Sequence, residues 1–150
     1  MKNLFLSIIS AFLIFSGTIS QATDFKTVTD LVSRENIDLS DAFNLSIVLQ
    51  RCAGLYGAIG KITPIEEKKL KEQMLGMSSE YLVYATMAMA HKRGRPLEDK
   101  AVGKQVQDAF WIYVDIYYDN MEKNQILTGS LFSDHIKSDV NICKALNETQ

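Results

Sequence analysis

Residues 40–60, SDAFNLSIVLQRCAGLYGAIG, decide the fold of this chain. Ser40 is a favourable N-cap residue, and we expect it to cap a helix that begins at Asp41. Apolar side chains then recur at steps of three and one residue, which places them on one face of a helix. These positions are Leu45, Val48, Leu49, Cys52, Leu55, Tyr56 and Ile59.

The same segment concentrates small residues around its cysteine. Ala53, Gly54 and Gly57 leave room for another helix to approach closely, so we interpret this stretch as a packing surface rather than a ligand cleft. Glycine also weakens a helix and favours its end. We therefore expect the first helix to end near Gly57 and Gly60.

A second long helix is predicted after the tetrapeptide Thr63-Pro64-Ile65-Glu66. Thr63 would be its N-cap, Pro64 its first residue, and Glu66 would complete a capping box. Cations followed by a glycine, His91-Lys92-Arg93-Gly94, predict its end. Its inward seam is expected to consist of Leu70, Met74, Met77, Tyr81, Tyr84, Ala88 and His91.

Two more principal helices complete the pattern. One runs from after Pro96 to about Asn124, and its inward stripe is Val102, Val106, Phe110, Tyr113, Val114, Tyr117 and Met121, widened by Ala109, Ile112 and Ile116. The last follows Gly129-Ser130 and points Phe132, Ile136, Val140 and Cys143 inward. A weaker pattern near Phe25 to Arg34 indicates a short fifth helix.

These patterns predict an all-α protein, because no sustained alternation typical of strands occurs. Short connections between four principal helices favour an up-and-down bundle. Cys52 and Cys143 fall on the apolar stripes of the first and last principal helices, so a disulfide between them would join the two ends of the bundle. Free thiols and a bridge between two chains are the alternatives.

The N-terminal residues resemble a secretory signal peptide. Lys2 is followed by an almost wholly apolar stretch from Leu4 to Phe15, and Ser20-Gln21-Ala22 fits the small-x-small rule for cleavage after Ala22. We therefore expect residues 1–22 to be a signal peptide, residues 23–150 to form a single helical domain, and the mature protein to be periplasmic or secreted. An oxidising location favours the disulfide.

Charge and motifs exclude several function classes. Loss of Lys2 with the signal leaves 15 basic and 18 acidic residues, a net charge of −3, which gives no reason to bind nucleic acid or anionic membranes. No Cys-x-x-Cys pair, Ser/His/Asp set, phosphate-binding glycine loop or metalloprotease motif occurs. We therefore predict a protein that is not an enzyme, with no cofactor and no metal site.

An aromatic stretch in the third helix supplies the candidate interface. Trp111 and Tyr118 are seven residues apart, so they share the outer helix face with Asp115. Exposed Trp and Tyr beside a carboxylate are typical anchors of protein–protein contacts. In the alternative interpretation this helix is buried on two sides, which would give it a central position in the bundle or place it in a homodimer.

The second candidate function is a carrier of haem, copper or lipid in the bundle core. Met87 and His91 lie one turn apart and His135 lies on another helix, as a haem site between helices would require. Five methionines outside the signal peptide could bind Cu(I), although methionine is also an ordinary core residue. The acids along the third helix, Asp108, Asp115, Asp119 and Glu122, are expected to form a solvated face.

The Cys52-Ala53-x-x-Tyr56 step on an early helix, followed by a second cysteine, resembles a feature of some bacterial immunity proteins that neutralise secreted effectors in the periplasm. The resemblance covers only these few residues. It implies a non-catalytic role in which the chain binds and inhibits another protein.

Overall fold

The computed structural model describes residues 26–148, so the predicted signal peptide lies outside the described residues. Four α-helices form the bundle: α1 (Ala42–Ile62), α2 (Lys68–Arg93), α3 (Lys100–Thr128) and α4 (Asp134–Glu148). A short π-helical segment, Asp30–Arg34, precedes them at the position of the expected fifth helix. The all-α up-and-down bundle predicted from the sequence is confirmed, and residues 26–148 contain no strand.

The central element is α1, which packs against α2, α3 and α4. All residues from Cys52 to Gly60 are buried, so this part of α1 has no solvent-exposed face. The hydroxyl of Ser46 donates to the carbonyl of Ala85 at 2.7 Å, and that of Ser78 donates to the carbonyl of Ala53 at 2.8 Å. These pairings show that α1 and α2 run antiparallel.

Small residues allow this close packing, as the sequence predicted. A Cβ atom on Gly54 would lie 2.4 Å from Cβ of Tyr113 and 3.0 Å from its carbonyl carbon, so α3 crosses α1 almost in backbone contact. Gly57 has the same role opposite Val114, whose Cγ2 would lie 2.9 Å from an added Cβ. The helix ends at Ile62, two residues beyond Gly60, so the predicted end near Gly57 and Gly60 is close, although both glycines lie inside the helix and pack against its neighbours.

The predicted disulfide joins Cys52 of α1 to Cys143 of α4, with the two Cα atoms 5.6 Å apart. Both cysteines are fully buried. The hydroxyl of Tyr81 on α2 donates to the Cys143 carbonyl, and the Tyr81 ring stacks on Tyr56 with centroids 5.6 Å apart. Burial raises the pKa of Tyr81 well above its ordinary value. The covalent link between α1 and α4 is therefore enclosed by aromatic side chains from α1 and α2.

The N-terminal caps of α1 and α2 differ from those predicted. Asp41, rather than Ser40, caps α1 by accepting from the amides of Phe43 and Asn44 at 2.9 and 3.1 Å. Ser40 instead donates to Asp38 through both its amide and its hydroxyl. An ionised carboxylate is the stronger acceptor for the free amides of a helix N-terminus, which explains the shift by one residue.

The capping box predicted at Thr63 does not form. The amide and hydroxyl of Thr63 both donate to the carbonyl of Ile59, at 2.9 and 2.6 Å, so this residue ends α1 instead of starting α2. A 3₁₀ turn, Ile65–Glu67, follows, and α2 begins at Lys68 without a side-chain cap. The predicted end of α2 is confirmed, because Gly94 adopts the left-handed conformation after Arg93, with φ of 58°.

The inward stripes of α1, α3 and α4 are mostly as predicted, whereas only Tyr81 of the predicted α2 seam is buried. Leu70 and His91, at the two ends of the predicted α2 seam, are exposed. The buried residues of α2 are Ser78, Tyr81, Ala85, Met89 and Ala90, a set that follows the 3.6-residue period rather than the 3.5-residue period of the predicted seam.

None of the helices within residues 26–148 is long and apolar enough to cross a membrane.

We predict that Gly54→Ala destabilises the protein, because the added methyl group would overlap Tyr113. The free energy of unfolding should fall by about 1 to 3 kcal/mol, as measured by urea denaturation of the oxidised protein.

Gly76→Ala is the matched control, since Gly76 lies within α2 and an added Cβ would meet nothing within 4 Å. It should raise stability by about 0.5 to 1 kcal/mol through helix propensity. Equal stability of Gly54→Ala and the wild type would contradict the close α1–α3 contact.

Candidate functional site

The predicted interface residues lie together on the surface of α3. Trp111 is 55% exposed and its neighbour Ile112 is 59% exposed. Asp115 follows one turn later, and Tyr118 is half-buried next to it. We call these four residues the α3 outer face.

A lysine from α1 organises one half of this face. Nζ of Lys61 lies 3.2 Å from Oδ1 of Asp115 and 4.3 Å from the centroid of the Tyr118 ring. One cation therefore interacts with both a carboxylate and an aromatic ring. Lys61 lies in the last turn of α1, so the contact also ties the face to the central helix.

Acidic side chains surround the α3 outer face. Asp108, Asp119 and Glu122 are exposed on the same side of the helix, and Asp108 pairs with Lys104 at 2.7 Å. A hydrogen bond to Glu122 raises the pKa of Tyr118, because a phenol that donates to a carboxylate keeps its proton more tightly. The face therefore combines an exposed apolar pair with negative charge.

The structure brings Trp111, Asp115 and Tyr118 to one face, as the helical spacing predicted. Ile112 was wrongly assigned to the inward stripe. The buried positions Val106, Val114 and Tyr117 define the arc that faces α1, and Ile112 lies outside it. Phe110 and Tyr113 already lie on this inward arc. The two residues between them, Trp111 and Ile112, therefore fall outside it on the helix surface.

A buried carboxylate, Asp139 on α4, was missed in the sequence. It is fully buried and accepts four hydrogen bonds. Two come from the amides of Val28 and Thr29, at 3.1 and 2.8 Å, and two come from the hydroxyls of Thr29 and Tyr117, each at 2.6 Å. We call this group the Asp139 clasp, because it fastens the N-terminal segment to α3 and α4. Burial, followed by the negative charge of Asp139, raises the pKa of Tyr117.

A cleft of about 600 Å³ lies beside the clasp, between the N-terminal segment and the ends of α3 and α4. His135, Asp30 and Arg34 line it, together with Tyr117 and Asp139. The four hydrogen bonds to Asp139 match the roughly four acceptor positions of a carboxylate. Asp139 therefore acts as a structural acceptor that holds Val28, Thr29 and Tyr117 together.

The residues considered for a cofactor are scattered. His91 and His135 are exposed, and Met87 is 48% exposed, so none of the three points into the bundle core. Met89 and Met121 are buried core residues, whereas Met74 and Met77 are half-buried between α2 and α4. Within residues 26–148, no group of three His, Cys, Asp or Glu side chains is placed to hold a metal ion.

Comparison of the chain with models of protein families, with curated proteins and with solved structures finds no match.

We predict that Asp139→Ala releases the N-terminal segment, because the donors of Val28, Thr29 and Tyr117 lose their shared acceptor. Stability in urea should fall by about 2 to 4 kcal/mol, since these donors would lose the hydrogen bonds that the Asp139 carboxylate accepts. The amides of Val28 and Thr29 should exchange with solvent faster, which NMR would detect residue by residue.

Asp134→Ala is the control on the same helix, because Asp134 is fully exposed and, within residues 26–148, its one ion pair is with Lys137 at 3.3 Å. It should cost less than about 1 kcal/mol and leave exchange at Val28 unchanged. Unaltered protection of Val28 and Thr29 in Asp139→Ala would rule out the clasp.

Proposed function

We propose that this chain is a small exported helical protein that works as a non-catalytic protein-binding module. It would contact its partner through the α3 outer face. The observation that carries the proposal is the adjacent pair Trp111 and Ile112, each more than half exposed on a well-packed helix. Buried contacts of Trp are among the strongest contributors to protein–protein affinity.

The packing of the helix beneath the face supports this role. Val114 and Tyr117 are buried and hold α3 in the core, and Lys61 contacts both Asp115 and Tyr118. A pre-ordered binding surface loses less conformational entropy when a partner docks. The face is therefore built like a binding site, with an apolar centre and a polar rim.

The acidic residues around Trp111 indicate which kind of partner would fit the α3 outer face. Asp108, Asp115, Asp119 and Glu122 give the surroundings of Trp111 an acidic character, with Lys61 and Lys104 as the nearby counter-charges. Complementary charges accelerate association and select partners. A partner with a basic surface around an apolar pocket fits this face best.

The buried disulfide supports an oxidising, exported location, in line with the signal peptide predicted at residues 1–22. In such a location, the sharper form of the proposal is an inhibitor, such as an immunity protein that neutralises a secreted effector. This form rests on the resemblance around Cys52 to Tyr56 and adds the expectation that the partner loses its activity when it is bound.

The test places a photo-crosslinking amino acid at position 112 in the producing cells, with Trp111 left intact. A second variant carries it at position 83, because Val83 on α2 is 54% exposed and so matches Ile112 in accessibility. We expect one specific partner to be captured at position 112 and not at position 83. Equal capture at both positions, or none at either, would refute the proposal.

With the captured partner purified, Trp111→Ala should weaken binding by about 30-fold or more, the loss typical of a central aromatic anchor. Val83→Ala should leave affinity unchanged, and both variants should keep the wild-type melting temperature. If Trp111→Ala binds like the wild type, the α3 outer face is not the contact surface. Capture of a second copy of this chain would assign the face to a homodimer instead.

A further inference from the structure

A second surface feature lies between α2 and α4, where an apolar groove of about 620 Å³ runs over buried side chains of α1. We call it the α2–α4 groove. No residue of α3 lines it, so it is separate from the proposed protein-binding face. Seven apolar or aromatic side chains line it: Tyr56, Ile59, Leu70, Met74, Met77, Phe132 and Val140.

The polar edge of the groove is basic. Lys137 and Lys144 lie seven residues apart on α4, so both point to the side that borders the groove. Lys137 is paired with Asp134 at 3.3 Å, whereas Lys144 takes part in none of the ion pairs found within residues 26–148. Glu148 is the one acidic residue in the lining. The groove thus combines an apolar trough with a net positive edge.

We propose that the α2–α4 groove binds a single-chain lipid with a carboxylate head, that is, a long-chain fatty acid. Its acyl chain would lie along Met74, Met77 and Val140, and its carboxylate would pair with Lys144. The groove has the volume of a small-molecule site, which is about 300 to 1,000 Å³. Flexible methionine side chains adapt to an acyl chain better than branched ones do.

The proposal stands apart from the protein-binding function, because the two surfaces share no residue. It also differs from a carrier that holds lipid in the bundle core, since the groove opens at the surface beside Leu70, which is 41% exposed. Binding of fatty acid can therefore be measured without any knowledge of the protein partner.

The test titrates octanoate, decanoate and dodecanoate into the oxidised, lipid-extracted protein by calorimetry, below the concentrations at which these soaps form micelles. We expect one saturable site. Its affinity should rise by up to about four-fold for each CH₂ group added, until the groove is filled. Dodecanoate should bind about five-fold more tightly than dodecanol, because only the carboxylate can pair with Lys144.

Two variants locate the site. Met74→Glu should weaken dodecanoate binding by about ten-fold or more, because it places a charge in the apolar wall. Lys144→Gln should abolish the preference for dodecanoate over dodecanol and leave dodecanol binding unchanged. Met87→Glu is the control, because Met87 is an exposed residue of α2 outside the groove, and it should bind like the wild type.

Absence of saturable binding to the wild type would overturn the proposal, as would equal binding by Met74→Glu. Equal affinity for dodecanoate and dodecanol would remove the role of Lys144 and with it the assignment of a carboxylate head. If Met74→Glu instead dissociates a wild-type dimer that dodecanoate does not disturb, a second copy of the chain covers the groove and the proposal fails.

Discussion

The complete burial of α1 between Cys52 and Gly60 is the constraint on which the rest of the structure depends. A helix with no exposed face needs neighbours on every side, and here they are α2, α3 and α4. Small residues let the neighbours approach: Gly54 admits the backbone of α3, and Ala53 receives a hydrogen bond from α2. The disulfide from Cys52 then fixes α4, and it closes a loop that should contribute about 4 to 5 kcal/mol to stability.

This arrangement determines which surfaces remain for function. Because α1 lies inside, the surfaces open to other molecules belong mainly to the outer helices. The α3 outer face presents Trp111 and Ile112, and the α2–α4 groove presents a different apolar surface with basic residues beside it. The buried Asp139 carboxylate, by contrast, is engaged in holding the N-terminal segment.

The helices and the disulfide could be predicted because burial on one side leaves a periodic record, as the stripe from Val102 to Met121 of α3 shows. Helix ends were less predictable where one residue could serve two helices, and Thr63 ends α1 instead of starting α2. In the site, spacing correctly grouped Trp111 with Tyr118. Asp139 shares a face with Ile136 and Cys143, and a carboxylate on that stripe was the available signal. Its partner Val28 lies 111 residues away, beyond the reach of any local pattern.

The structure is a bundle closed by one disulfide, and we propose that the chain is exported. The most direct test is the intact mass of the protein isolated from its producing cells without reductant and then treated with a thiol-alkylating reagent under denaturing conditions. We expect a chain that has lost residues 1–22 and carries no alkyl group on Cys52 or Cys143. A chain that retains residues 1–22, or one alkylated at either cysteine, would contradict it.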